Sequence, residues 1–207
     1  MFLKEITSEA ELRELVGNPG KLAGNKEISF IDTHCREFIS KSPFLVLSSS
    51  NMMGQSDASP RGDAPGFVHI LDDHTLLIPE RPGNRRLDTL LNILSNPHVG
   101  MIFLIPGLGE TLRINGKASI IQDEELLAPL AVNGKVPLIG IIVKVEQCFI
   151  HCAKAIIRSQ LWKPENWLEN KQIPSPAKIL KDHAKLAYMN ESEISASLQE
   201  SYEKRLY

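Results

Sequence analysis

The chain has 207 residues, a formal net charge of −2 and 43% hydrophobic side chains. That is enough apolar material for one sizeable core, and the near balance of charge leaves no broad positive field to gather phosphates, which argues against nucleic-acid and membrane-surface binders. MFLKEITSEAELREL lacks the apolar stretch of a secretory signal, VPLIGIIVKV is short and interrupted by Lys144, and three cysteines without framework spacing fit reduced thiols, so a cytoplasmic protein is expected.

In chain order, TSEAELRELVG offers Thr7 or Ser8 as an N-cap and Gly17 as a stop, which predicts a short helix. SFIDTHCREFISKS spaces Phe30, Ile31, Cys35, Phe38 and Ile39 for a second helix that ends before Pro43. The period then changes. FLVLSSS reads as a strand, DASPRGD (57–63) as a turn, and GFVHIL and TLLIP as a hairpin about DDH. In IPERPGNRRLDTLLNIL, Leu87, Leu90, Leu91 and Leu94 form a helical apolar stripe, with Asn84 as N-cap and Arg85 and Arg86 as the first two helical positions.

VGMIFLI predicts a buried strand closed by PGLGE, and TLRINGKASII alternates so that one face is wet. PLIGIIVKVEQCFI is a long strand with Gly140 as a candidate kink. CAKAIIRSQLW then puts Ala153, Ile156, Ile157 and Leu161 on one helix side and Lys154 and Arg158 on another. A proline-punctuated connection and one or two amphipathic helices complete the chain. The fold class expected is α+β, mostly β: about six antiparallel strands closed as a barrel, with flanking helices. The chain is read as one domain over 1–207, its core at about 44–162, with N-terminal helices (7–41) and a helical tail (163–207) as additions.

Two arginines at a helix start oppose the positive end of the macrodipole. Phosphate bound there would be held by free N–H groups and guanidinium forks; the other reading is a solvated turn whose arginines pair with Glu80 or Asp88. Arg61 could reach the same anion from a neighbouring strand. Lys154, Arg158 and Trp162, four apart, either form a solvated face or line a site with cations and a flat wall. His34, Cys35, Cys148, His151 and Cys152 lack clean zinc spacing, and no metal site is expected. The Arg-Gly-Asp triplet is read as part of the turn. Walker, Gly-x-Ser-x-Gly and Gly-x-Gly-x-x-Gly patterns are absent.

The ordered pieces SPRGDAPGFVHI, RPGNRRLD, NPHVGMIFLIPGLGETLRINGKASI and HCAKAIIRSQLW resemble the pyridoxamine 5′-phosphate oxidase-related FMN-binding split-barrel family, in a branch of unassigned function, over residues 44–162. The resemblance implies a six-stranded split barrel, a homodimer, and FMN at the subunit interface. It places Asn84, Arg85 and Arg86 in the phosphate-binding turn, with Arg61 reaching the phosphate side. Ile78 and Pro79 would pass the flavin ring with their backbone, and Thr111, Leu112 and Arg113 would approach it from beyond the turn. Lys154, Arg158 and Trp162 would reach it from the partner subunit. The implied activity is an FMN-dependent oxidoreductase acting on a small substrate, with a reduced nicotinamide or small molecule as donor. The alternatives are a flavin-binding or flavin-sensing module without turnover, or a haem- or deazaflavin-binding member with His34, His69 and His151 as candidate haem ligands. The chain ends SYEKRLY, without the Arg-x-His segment that holds the substrate phosphate in pyridoxamine phosphate oxidases, which speaks against vitamin B6 oxidation.

Overall fold

The computed structural model describes residues 4–185 and 188–207. Helix α1 (Glu9–Val16) is capped by Ser8, whose Oγ accepts from the Glu11 amide, and it ends at Gly17, where φ is 78°. A short helix α2 (Lys21–Asn25), unforeseen from the sequence, precedes α3 (Thr33–Lys41), which Asp32 caps through the Cys35 amide. The chain then runs β1 (Phe44–Ser50), β2 (Ser56–Gly62), β3 (His69–Asp72), β4 (Thr75–Pro79), α4 (Asp88–Ser95), β5 (His98–Leu104), β6 (Thr111–Ile121), α5 (Glu124–Leu127) and β7 (Gly140–His151). Helices α6 (Lys154–Ser159), α7 (Pro176–Ala184) and α8 (Glu191–Lys204) follow.

The strands form one antiparallel sheet in the order β2-β1-β5-β6-β7-β4-β3. The mostly β, α+β class is as expected, but there are seven strands rather than six. The additional one is β2, built from the residues that read as a turn. Pro60 lacks an N–H, and β2 tolerates it because it lies at the sheet edge with β1 as its neighbour. Among the described residues no ladder joins β2 to β3, so hydrogen bonds do not close the sheet. Ion pairs stand in at one end: Arg61 with Glu80 at 3.3 Å, and Arg81 with Asp63 at 2.7 Å, tie the end of β2 to the end of β4.

Alternation along the strands builds the core. Leu45 and Leu47, Met101 and Phe103, Leu112 and Ile114, and Ile141 and Val143 share one interior with Phe38 and Ile39 of α3 and Leu90 and Ile93 of α4. Strand β4 is buried on both faces. Leu76 and Ile78 enter the main core, while Leu77 meets Leu127 and Leu130 on the other side. A bulge falls between Asn115 and Gly116, where a Cβ would overlap the Lys144 carbonyl. Gly140 opens β7 rather than kinking it; a side chain there would collide with Leu77 and Leu127.

Two apolar stripes are placed differently from expectation. In α4 the buried residues are Thr89, Leu90 and Ile93, whereas Leu87, Leu91 and Leu94 are exposed. In α6 no residue is buried, and Ile157 and Leu161 face outward. Helical periodicity finds an apolar stripe but not whether this chain covers it. Among the described residues no helix is long and apolar enough to cross a membrane.

Candidate cofactor site

Residues 57, 59 and 61 lie on one face of β2 because strand side chains alternate. Segment 80–87, which leaves the end of β4 as irregular backbone, crosses that face. At one end Arg61 Nη2 stands 3.3 Å from Glu80 Oε2, with both side chains mostly buried. At the other end Arg86, with Asp57, Asn51, Gln55, Leu91 and Asn92, lines a cleft of about 430 Å³. Asp57 also accepts from Thr89 Oγ1 at 2.9 Å, which fixes the start of α4 against β2.

The helix does not start where the sequence places it. Asn84 is not its N-cap, and Arg85 and Arg86 are not its first turn: α4 begins at Asp88, after Leu87, without a side-chain cap. Asn84 Oδ1 instead accepts from the Arg86 amide at 3.0 Å, closing an Asx turn. Arg85 and Leu87 take left-handed backbone, with φ of 62° and 63°. Each costs roughly 1–2 kcal/mol for a residue with a Cβ, and such strain gathers at ligand-holding segments. The dipole conflict is therefore replaced by backbone strain.

The two loop arginines differ in state. Arg86 donates from Nε to Asp88 Oδ2 at 2.8 Å, and the pair is exposed. An exposed pair contributes about 0–1 kcal/mol, so an incoming anion displaces it at little cost. Arg85 is exposed and has no hydrogen-bond or ion-pair partner among the described residues. The pairing with Asp88 foreseen for a solvated turn thus holds for Arg86, while Glu80 is taken by Arg61.

Buried charge sits at the Arg61 end. Arg61 Nη1 reaches Ser59 Oγ and the Pro60 carbonyl at 3.4 Å each, but its Nε is buried with no acceptor, and Glu80 Oε2 has no donor of hydrogen-bond geometry. Charges in proximity without a hydrogen bond leave both groups short of their solvation in water. Burial accordingly raises the Glu80 pKa, and the Arg61 charge opposes that rise. Beside them, Asp63 accepts from Arg81 Nε at 2.7 Å and from the Tyr207 hydroxyl at 2.8 Å, and Arg81 lies over the Tyr207 ring at 5.6 Å. Glu80 as Arg61's partner, Asp57, and the Asp63–Arg81–Tyr207 group are residues the sequence did not assign. Sequence distance hides them, since Tyr207 and Asp63 are 144 positions apart.

The remaining expected residues fall into three groups. Ile78 and Pro79 are buried on β4 opposite Ile141 and Gly140, so only their backbone is offered. Leu112 is a core residue at 2% exposure, and its side chain faces away from any surface site. Thr111 is half-buried opposite His151, and Arg113 is exposed with its guanidinium 5.6 Å from the Phe149 ring. Lys154 and Arg158 lie exposed on α6, and Trp162 Nε1 donates to the Leu108 carbonyl at 2.7 Å, which pins this segment to the β5–β6 loop. Among the described residues no hydrogen bond or ion pair joins this group to segment 80–87. No group of three potential metal ligands is present among them either.

A search of curated proteins finds no match. Solved structures that resemble the chain include HupZ from Group A Streptococcus, at 20% identity over 58% of this chain and 93% of that one, with a TM-score of 0.49. Also among them are General Stress Protein 26 from Bacillus anthracis (17%, 57% and 94%, 0.42) and an FMN-binding protein from Syntrophomonas wolfei (13%, 56% and 86%, 0.42). A family model described as pyridoxamine 5′-phosphate oxidase matches residues 31–152, which takes in α3, every strand and the whole 80–87 segment. That is more than half of the chain, and the chain belongs to the pyridoxamine 5′-phosphate oxidase family.

Proposed function

We propose that the protein is an FMN-dependent oxidoreductase acting on a small substrate, with the flavin phosphate held by Arg61, Arg85 and Arg86. The observation that carries this reading is the buried Arg61 Nε without an acceptor, on the strand face that the strained 80–87 segment crosses. A phosphate oxygen supplies the missing acceptor, and charge-assisted bonds of this kind are the stronger ones. The free Arg85 guanidinium and the uncapped first turn of α4 add donors of the same sign. Ile78 and Pro79 would offer only main-chain atoms to the ring, and Thr111 and Arg113 would stand on β6, with β7 between it and β4.

FMN, when bound, supplies hydride chemistry; the protein binds, orients and tunes it. A cation near the electron-rich end of the ring favours the reduced form, and Arg113, Lys154 and Arg158 are the available cations. Trp162 is tied to the β5–β6 loop and Lys154 and Arg158 stand exposed on the adjoining α6, with no hydrogen bond or ion pair to segment 80–87 among the described residues, which supports their acting across a homodimer interface. The exposed Leu91, Leu94, Ile157 and Leu161 give such an interface apolar surface to bury. A reduced nicotinamide is the proposed electron donor.

The test is the visible spectrum of the purified protein before and after anaerobic addition of reduced nicotinamide. A flavin band that bleaches supports the oxidoreductase. A band that stays oxidised with every donor reduces the reading to flavin binding alone, and a protein that refuses FMN overturns it.

A further inference from the structure

Two cysteines from distant parts of the chain meet in the interior. Cys148 of β7 donates its S–H to Cys35 Sγ of α3 at 3.2 Å, across 113 positions of sequence. Cys148 is fully buried and Cys35 is 8% exposed, whereas the third cysteine, Cys152, lies on the surface. The backbone around the pair is already joined: the Ile28 amide donates to the Cys148 carbonyl at 3.0 Å, and the Cys148 amide to the Ile28 carbonyl at 2.7 Å. Asp32 fixes the Cys35 amide at 2.8 Å, so the first turn of α3 is held over β7. Phe38 and Ile39, one turn further on, belong to the same core as Cys148.

We propose that Cys35 and Cys148 form a peroxide-driven thiol pair whose disulfide fastens α3 to β7. The sulfurs need to close by about 1 Å to reach bonding distance, a movement within side-chain reach. Cys35 is the attacking sulfur, because it is the more accessible of the two and accepts the Cys148 S–H. Its sulfur displaces hydroxide from hydrogen peroxide, the O–O bond breaks, and the thiol proton leaves with the hydroxide as water. The sulfenic acid so formed is attacked by Cys148 Sγ; the S–S bond forms, the S–O bond breaks, and the oxygen leaves as a second water with the Cys148 proton. Two thiols are oxidised by two electrons and one peroxide is reduced. The hydrogen bond to Cys35, followed by burial, keeps Cys148 protonated until that step. The strap adds no contact to the folded state. It removes freedom from the unfolded chain across a long loop, the circumstance in which a cross-link stabilises most.

The experiment uses the full chain carrying Cys152→Ser, which removes the surface thiol. Equimolar hydrogen peroxide is added, followed by denaturation, alkylation and non-reducing peptide mapping. The expected result is a linked peptide joining Cys35 to Cys148, loss of both alkylatable thiols, and a higher unfolding temperature that dithiothreitol reverses. In Cys148→Ser the Cys35 thiol is expected to stop at sulfenic acid, which a dimedone probe traps. Two thiols that stay alkylatable, or cross-links only between chains, overturn the proposal. Should a variant fail to fold, peptide mapping of the unmutated protein detects the same Cys35–Cys148 linkage or its absence.

Discussion

Arg61 Nη2 lies 3.3 Å from Glu80 Oε2, yet the Arg61 Nε beside them is buried and bonded to nothing. The pair spans the split between the end of β2 and the end of β4, where no ladder closes the sheet among the described residues. Arg61→Ala is expected to weaken FMN binding by about 1.5–3 kcal/mol, on the order of tenfold to a hundredfold, the usual worth of a hydrogen bond to a charged group. Quenching of flavin fluorescence on titration measures this. An unchanged affinity would remove Arg61 from the phosphate site.

Arg85 separates charge from backbone strain. Its side chain has no partner among the described residues, so Arg85→Ala should leave the stability of the flavin-free protein within about 0.5 kcal/mol. Arg85→Gly also relieves the left-handed φ of 62° and is expected to add roughly 1 kcal/mol. Both should lose flavin affinity to the same degree. Calorimetry with and without FMN checks the pair, and equal melting temperatures for the two variants would refute the strain argument.

The side chain of Leu112 lies in the core. It is 2% exposed in the core between β5 and β7. Leu112→Ala should cost about 2–5 kcal/mol of stability, as for other buried leucines, while FMN affinity per folded molecule stays the same. Urea unfolding combined with a flavin titration distinguishes this from a direct contact.

Asp63 is one of the carboxyls that shape the acid side. Burial by itself would raise its pKa, but hydrogen bonds from Tyr207, the Ala64 amide and Arg81 outweigh this and hold it below the ordinary 3.8. A carboxyl with a depressed folded pKa contributes stability above the unfolded value and loses it as pH falls through the folded one. The native protein should therefore lose stability as pH drops below 3.8, and Asp63→Asn should flatten that part of the curve. Near neutral pH the same change is expected to cost about 3–5 kcal/mol, because it leaves the mostly buried Arg81 without its charge partner. Melting temperatures followed from neutral to acid pH report both effects.

Local chemistry settled much by itself. The cap at Ser8, the strands β1, β5 and β6, and the long β7 follow from residue type and period. The ordered motifs around RPGNRRLD also sufficed for the family. Tertiary structure decided the rest. DASPRGD has turn composition, and only its place at the sheet edge makes it a strand that tolerates Pro60. Asn84 has the side chain of a helix cap, yet the anchoring of Thr89 on Asp57 moves the helix start to Asp88 and leaves Arg85 left-handed. The leucines of α4 have one period but two fates, because packing against β1, β6 and β2 chose which face to cover. Arg61 with Glu80, Asp63 with Tyr207 and Cys35 with Cys148 meet across gaps in sequence that no local pattern spans. Periodicity records what a segment prefers; which charges and thiols share a site depends on chain paths that only the folded sheet defines.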